Sequence, residues 1–169
     1  METLNAIENR RSIRKFKDEK ISDKQIEQIV RAGMYAPSAG NEQPWHFIII
    51  KDKLLLKQIP KIHKYAKMMN SADIGIFVCY DPSCEKHESM AVQDCSAATQ
   101  NMLLAIHDLG LGGCWIGVYP RKDRMKKLQD LFNIPDAIIP FSLIAVGVPD
   151  EIKNGVNRYK KDRIHYETW

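Results

Sequence analysis

The longest helical pattern in the sequence runs from Glu88 to Leu109. One side of it is small: Ala91, Cys95, Ala98 and Thr99, with Met102, Leu103 and Ile106 further along. Small side chains let another helix approach closely, so this helix is expected at the centre of the molecule. Gly110 follows it as a left-handed stop. A central helix must be covered, and the flanking sequence supplies elements of both kinds.

Ser22-Asp23-Lys24-Gln25 has the form of a helix start, with Ser22 as cap and Gln25 three residues on. Ile26, Ile29, Val30, Gly33 and Met34 then make one apolar face, and Pro37 ends the helix. Leu4, Ile7 and Glu8 have helical spacing, and a further helix is expected from Leu54 to Met69, interrupted or restarted around Pro60. Arg121 to Phe132 is another. Strands are expected at Trp45 to Lys51, Asp73 to Tyr80, Cys114 to Tyr119 and Ile138 to Val148, the last entered through Pro140. The Asp73 strand is almost continuously apolar and is expected to be central. Asp81-Pro82-Ser83 reads as a turn. There is no repeat, low-complexity tract or linker, so residues 1–169 are read as a single α+β domain, helices against a small mixed sheet. The tail from Glu151 to Trp169 is charged yet carries Tyr159, Tyr166 and Trp169, which predicts that it docks on something.

A chain of 169 residues with 44% hydrophobic and 27% charged residues can bury a core without staples. The net charge of +4 favours anionic small molecules but is too weak for a nucleic-acid stripe. No apolar run reaches the length of a membrane span, and Met1-Glu2-Thr3-Leu4-Asn5 lacks a signal peptide's apolar core. The expected compartment is the cytoplasm, with Cys79, Cys84, Cys95 and Cys114 as reduced thiols.

Two segments carry chemistry. Arg10-Arg11-Ser12-Ile13-Arg14 gathers three guanidinium forks around one hydroxyl, a set suited to phosphate. In an extended backbone Arg10, Ser12 and Arg14 share one side, with Arg11 and Ile13 opposite. The alternative is a solvated basic stretch, or an arm for nucleic acid. The second segment, Pro37-Ser38-Ala39-Gly40-Asn41-Glu42-Gln43-Pro44-Trp45, is a turn-rich loop entering a strand. Such loops often bind ligands, and they also serve as plain connections.

Together, and in this order, the two segments resemble the FMN-dependent nitroreductase family. The resemblance extends to Gly110-Leu111-Gly112-Gly113-Cys114-Trp115-Ile116-Gly117 and to the basic tail. It implies helices around a central mixed, mainly antiparallel sheet, with a domain-swapped C-terminal tail. It implies a homodimer with FMN at the subunit interface. Arg10, Arg11 and Ser12 would hold phosphate and ribitol, with Arg158 approaching the phosphate from the tail. Arg14 would lie at the pyrimidine edge, where a cation tunes the flavin's electronics. Pro37, Ser38, Ala39 and Asn41 would come from the partner chain. Backbone groups of Ile116 and Gly117 would lie near the reactive N5. The implied activity is hydride transfer from NAD(P)H through the flavin to an electron-poor acceptor such as a nitroaromatic or quinone, in ping-pong order. No catalytic side chain is implied, because the flavin does the chemistry. Rival readings are an FMN carrier or sensor, a reductive dehalogenase-like enzyme of the same superfamily, and a basic nucleic-acid module.

Other motifs fall short. The Gly110–Gly117 segment follows a helix and lacks G-x-G-x-x-G, so it is no dinucleotide fingerprint. Cys84-x-x-His87 with Cys79 and Cys95 nearby lacks paired zinc spacing, and no metal is expected. No H-E-x-x-H or G-x-S-x-G occurs, and His107 is read as structural.

Overall fold

The computed structural model describes residues 2–169. Five α-helices and four strands follow along them: α1 (Thr3–Asn9), α2 (Asp23–Met34), β1 (Trp45–Ile50), α3 (Lys53–Ile62), β2 (Ile74–Tyr80), α4 (Ala91–Asp108), β3 (Gly112–Gly117), α5 (Lys122–Phe132) and β4 (Ile139–Gly147). The α+β class is as expected. The sheet order is β1-β2-β4-β3. Every strand pair is antiparallel, and the parallel component among the described residues is one isolated bridge, Ser12 with Gly113.

β2 and β4 are central and covered on both faces. Side chains alternate along a strand, so Ile76 and Val78 of β2 enter one core with α2 and α4. Phe77 and Cys79 enter the other, with Leu56 and Ile59 of α3 and Leu128 of α5. This double covering is why β2 reads as continuously apolar. A register shift between Val78 and Cys79 accommodates Pro140, which has no N–H to give the ladder.

Local signals set most element ends. The Ser22 hydroxyl accepts from the Gln25 amide while the Gln25 side chain accepts from the Ser22 amide, a complete capping box. Gly110 takes a left-handed φ of 73° and ends α4. α4 starts at Ala91 rather than Glu88, because Ser89 is left-handed and the Glu85 side chain accepts from the Ala91 amide at 2.9 Å. Pro60 lies inside α3, in its last turn, where it has no N–H to give the Leu56 carbonyl, and the helix ends two residues later.

The small face of α4 meets the sheet as well as another helix. Thr99 reaches the Ser142 hydroxyl of β4 at 3.2 Å, and Cys95 faces the Cys79 carbonyl of β2. The close approach of α2 depends on Gly33, whose missing Cβ would stand 2.9 Å from Met102. Burial pushes the Cys79 and Cys95 thiols up to about 12, so both stay protonated as small core groups. The tail beyond Glu151 is irregular apart from one short turn, and Tyr159, Tyr166 and Trp169 are exposed in the isolated chain.

Candidate functional site

Residues 10–17 cross from the start of β3, where Ser12 bridges Gly113, to the segment after β4, where Phe16 bridges Pro149. Ile13 donates its amide to the Gly113 carbonyl at 3.0 Å, and its side chain packs where a Cβ on Gly112 would otherwise stand, 2.8 Å away. Lys17 and Asp150 extend this pinning through the Val148 and Lys15 carbonyls. The basic segment is therefore held by the sheet rather than free in solvent.

Along it, Arg10, Ser12 and Arg14 all bear on Cys114 of β3. Burial pushes this thiol up, while Arg14, Lys153, the Ser12 hydroxyl and Arg10 pull it down. The clefts divide the segment otherwise than strict alternation predicts, with Arg10 beside Arg11 in one and Arg14 in another. Lys153 joins these residues, donating to the Ser12 carbonyl at 2.6 Å. The motif gave no hint of Lys153, and only its place in the basic tail could have pointed to it.

Two clefts flank this line. One, of about 710 Å³, brings together Arg10, Arg11 and Arg158 with Asn9 and Gln100. Arg11 is anchored there by the Glu8, Arg10 and Asn154 carbonyls. Arg10 Nε and Arg11 Nη2 are buried without a hydrogen-bond partner. Desolvation lowers the Arg10 pKa, and the like charges of Arg158 and Arg11 lower it further. Crowded guanidiniums with orphaned donors are suited to an anion carrying several acceptor oxygens.

The other cleft, of about 880 Å³, is floored by Cys114, Trp115, Ile116 and Gly117, with Arg14 on one side. A Cβ on Gly117 would meet nothing within 4 Å, so the backbone there is open to the cleft. The Gly117 carbonyl is held by two donors, His63 Nε2 at 2.9 Å and Arg124 Nη1 at 2.6 Å. His63 is buried, and its Nδ1 accepts from the Tyr65 amide at 3.2 Å. Both ring nitrogens are thereby committed, which fixes the neutral tautomer. Desolvation pushes the His63 pKa down. Neither His63 nor Arg124 carries a local motif that would have flagged it.

A group whose folded pKa is depressed contributes stability that is present above its unfolded value and lost as pH falls through the folded one. His63→Gln is therefore expected to lower stability by about 1–2 kcal/mol at neutral pH. The gap to wild type should narrow below about pH 6.5, where the unfolded imidazole protonates. Thermal unfolding of both proteins across that range checks this, and a constant gap would mean that charge plays no part.

The loop residues lie elsewhere. Pro37, Ser38, Ala39 and Asn41 sit beside the start of α4: the Ala39 amide donates to buried Asp94 at 3.1 Å, and the Gln43 amide donates to the Ser38 hydroxyl at 3.1 Å. Gly40, Asn41 and Gln43 are left-handed, which bends the loop tightly. Arg10 acts instead on His107, at the far end of α4. Asp94 and His107 are about 20 Å apart along a helix rising 1.5 Å per residue. One chain does not bring the loop and the arginines to a single point.

His87 spends its Nδ1 on Glu42 at 2.6 Å rather than facing Cys84. Among the described residues no three His, Cys, Asp or Glu side chains are grouped to hold a metal, and no helix is long and apolar enough to cross a membrane.

Comparison with known proteins gives a consistent result. Residues 7–69 and 61–148 match the family model described as Nitroreductase family. A Methanothermobacter thermautotrophicus protein provisionally named NADH dehydrogenase/NAD(P)H nitroreductase is 47% identical over 169 residues, covering 100% of this chain and 88% of that one. The structure of an FMN-dependent nitroreductase from Clostridium difficile R20291 superposes with a TM-score of 0.92 at 26% identity, covering 99% of this chain and 100% of that one. A provisionally named nitroreductase from Desulfovibrio desulfuricans, solved in complex with FMN, gives 0.85 at 31% identity, covering 98% and 96%. With these matches and its antiparallel sheet edged by the basic segment, the chain belongs to the nitroreductase family.

Proposed function

We propose that this chain is an FMN-dependent NAD(P)H oxidoreductase, a single domain over residues 1–169 that works as a homodimer in the cytoplasm. The observation that carries the cofactor reading is the pair of buried, partnerless donors on Arg10 and Arg11 beside Arg158. A phosphate there gains bidentate bonds and relieves the mutual repulsion of the three guanidiniums. The family relationship and the FMN-containing relative support the same assignment.

The chemistry a bound flavin supplies is two-electron transfer, from NAD(P)H to an electron-poor acceptor such as a nitroaromatic or quinone, in ping-pong order. The chain's own residues bind and orient. Arg10, Arg11 and Arg158 take the phosphate, with Ser12 beside the ribitol. Arg14 would supply a fixed positive charge to a bound flavin's pyrimidine edge. Ile116 and Gly117 would lie toward its reactive end. Both lone pairs of the Gly117 carbonyl are engaged by His63 and Arg124, so Gly117 offers the ring a bare, rigid Cα surface. His63, committed at both nitrogens, positions this strand end rather than moving protons.

The dimer reading rests on two observations, and the compartment on a third. The loop carrying Pro37, Ser38, Ala39 and Asn41 is far from the arginines of its own chain, so a second chain must supply it if both touch one cofactor. The tail's Tyr159, Tyr166 and Trp169 are exposed and gain burial only against another surface. Four free thiols agree with a reducing compartment.

The test is a pair of half-reactions. The purified protein should carry FMN. Anaerobic NADH or NADPH should bleach the flavin absorbance, and a nitroaromatic or quinone should restore it without nucleotide. Flavin that stays oxidised with both nucleotides would leave a carrier or sensor. A protein that takes up no FMN would remove the reading altogether.

A further inference from the structure

We infer that the outer rim of the β3 cleft is a subsite for an anionic group borne on a flat, apolar co-substrate, with Lys64, Lys67 and Arg124 as its recognition residues. This rests on the flavin reading above and extends it to the class of molecule that reacts there.

The charge balance of the cleft is one-sided. Arg14, Lys64, Lys67 and Arg124 all line it, and no Asp or Glu does. Burial holds His63 toward its neutral form, so it offers no compensation of either sign. Among the described residues Arg14, Lys64, Lys67 and Arg124 form no ion pair. Two cations of α5 outside the cleft differ: Lys126 pairs with Asp130 and Asp136, and Lys127 with Asp123. Unpaired cations around a concave, partly apolar wall focus a positive potential into it.

The cofactor does not account for this charge. Its phosphate has a donor set in the other cleft, and Arg14 is assigned to the pyrimidine edge. Lys64, Lys67 and Arg124 remain. Lys64 is also firmly mounted. Lys64 follows His63, whose ring is tied to Gly117 and to the Tyr65 amide, and whose carbonyl accepts from the Ala66 amide at 2.8 Å. Lys64 lies over the Tyr65 ring, 5.0 Å from its centroid. Between these cations and the strand, Tyr65, Met68 and Trp115 present apolar surface. Apolar floor and cationic rim together fit an aromatic or quinonoid body bearing a carboxylate or phosphate.

Such an anion could belong to the acceptor or to the nucleotide donor, and the experiment separates the two. The FMN-loaded wild type and K64Q/K67Q variant are titrated with 4-nitrobenzoate and with neutral 4-nitrobenzyl alcohol, read by quenching of tryptophan fluorescence. KM values for both acceptors, and for NADPH and NADH, are then measured. Loss of two partly exposed cations should weaken 4-nitrobenzoate by about fivefold or more, with the alcohol unchanged. That result assigns the subsite to the acceptor. A selective rise in KM for the nucleotides, with both acceptors unchanged, assigns it to their phosphates and equally supports an anion subsite. Equal loss for the benzoate and the alcohol, or no change for any reactant, overturns the inference. So does weakened FMN binding in the variant, which would hand the two lysines to the cofactor's phosphate while leaving the flavin reading in place. A wild type that takes up no FMN marks failure of that prior reading before any variant is compared.

Discussion

Replacing Asp73 with alanine is expected to lower stability by about 3 kcal/mol, a loss seen as a fall in melting temperature of about 6–12 °C for a chain of this size. Asp73 is 6% exposed and stands at the entry to β2. Its Oδ2 accepts from the Ile21 amide at 2.8 Å, while Oδ1 accepts from Lys53 at 3.0 Å and Lys20 at 3.1 Å. The carboxylate thereby ties the segment before α2 and the start of α3 to the central strand. Alanine leaves the Ile21 amide without its partner and Lys53 with only the Ala72 and Asp73 carbonyls. Both lysines keep water contact, so the loss stays below that of a fully buried pair.

The pH dependence gives this prediction its sign. Desolvation pushes the Asp73 carboxyl up, but the Ile21 amide and the two ammonium groups outweigh it, so the group sits below its ordinary value. A depressed carboxyl contributes stability that is present above its unfolded pKa, about 3.9, and lost as pH falls through the folded one. The gap between wild type and D73A should therefore be full at neutral pH and shrink in acid below about pH 4. Asp73→Asn keeps an acceptor for the Ile21 amide and should fall between the two. Both proteins must be compared at equal concentration and equal FMN, since cofactor and partner binding shift the apparent midpoint. A D73A melting point within 2 °C of wild type, as an order-of-magnitude threshold, would mean that this cross-link carries no net stability.

Asp73 also shows where the sequence stops being legible. Its partners all precede it, two of them 52 and 53 residues back and the third 20. No periodicity or cap signals such a meeting. Contacts written within a few residues were readable: the Ser22–Gln25 capping box and the Gly110 stop. The His63–Gly117 contact spans 54 residues, and nothing near His63 marks it. Small residues on α4 were legible as a demand for close packing, but not which surface would meet it. The answer is both: β2 and β4 against Cys95 and Thr99, and α2 through Gly33. The loop and the arginines looked like one site because they form one pattern in sequence. Within a chain the loop meets α4 at Asp94, while the arginines lie beside Gln100 and His107 further along it.

Replacing Arg10 with alanine is expected to weaken FMN about tenfold to a hundredfold, the loss of a charge-assisted contact worth about 1.5–3 kcal/mol. The same change should leave the flavin-free protein no less stable. Arg10 stands among the like charges of Arg11 and Arg158, pays for its own desolvation, and keeps Nε without a partner. Removing it relieves repulsion that only an anion offsets. The two effects thus run in opposite directions, and that contrast distinguishes a ligand-binding residue from a structural one. A structural arginine would cost stability in the free protein and affect FMN only through unfolding. Ser12→Ala should follow Arg10→Ala with a smaller loss, since one neutral donor is removed and the Ser12 carbonyl still accepts from Lys153. Fluorescence titration of stripped protein with FMN, set beside thermal unfolding of the same samples, measures both quantities. Unchanged FMN affinity in R10A would move the phosphate out of this cleft. Lost affinity together with a lowered melting point in the absence of flavin would make Arg10 a structural residue, and its orphaned donor would then need another explanation.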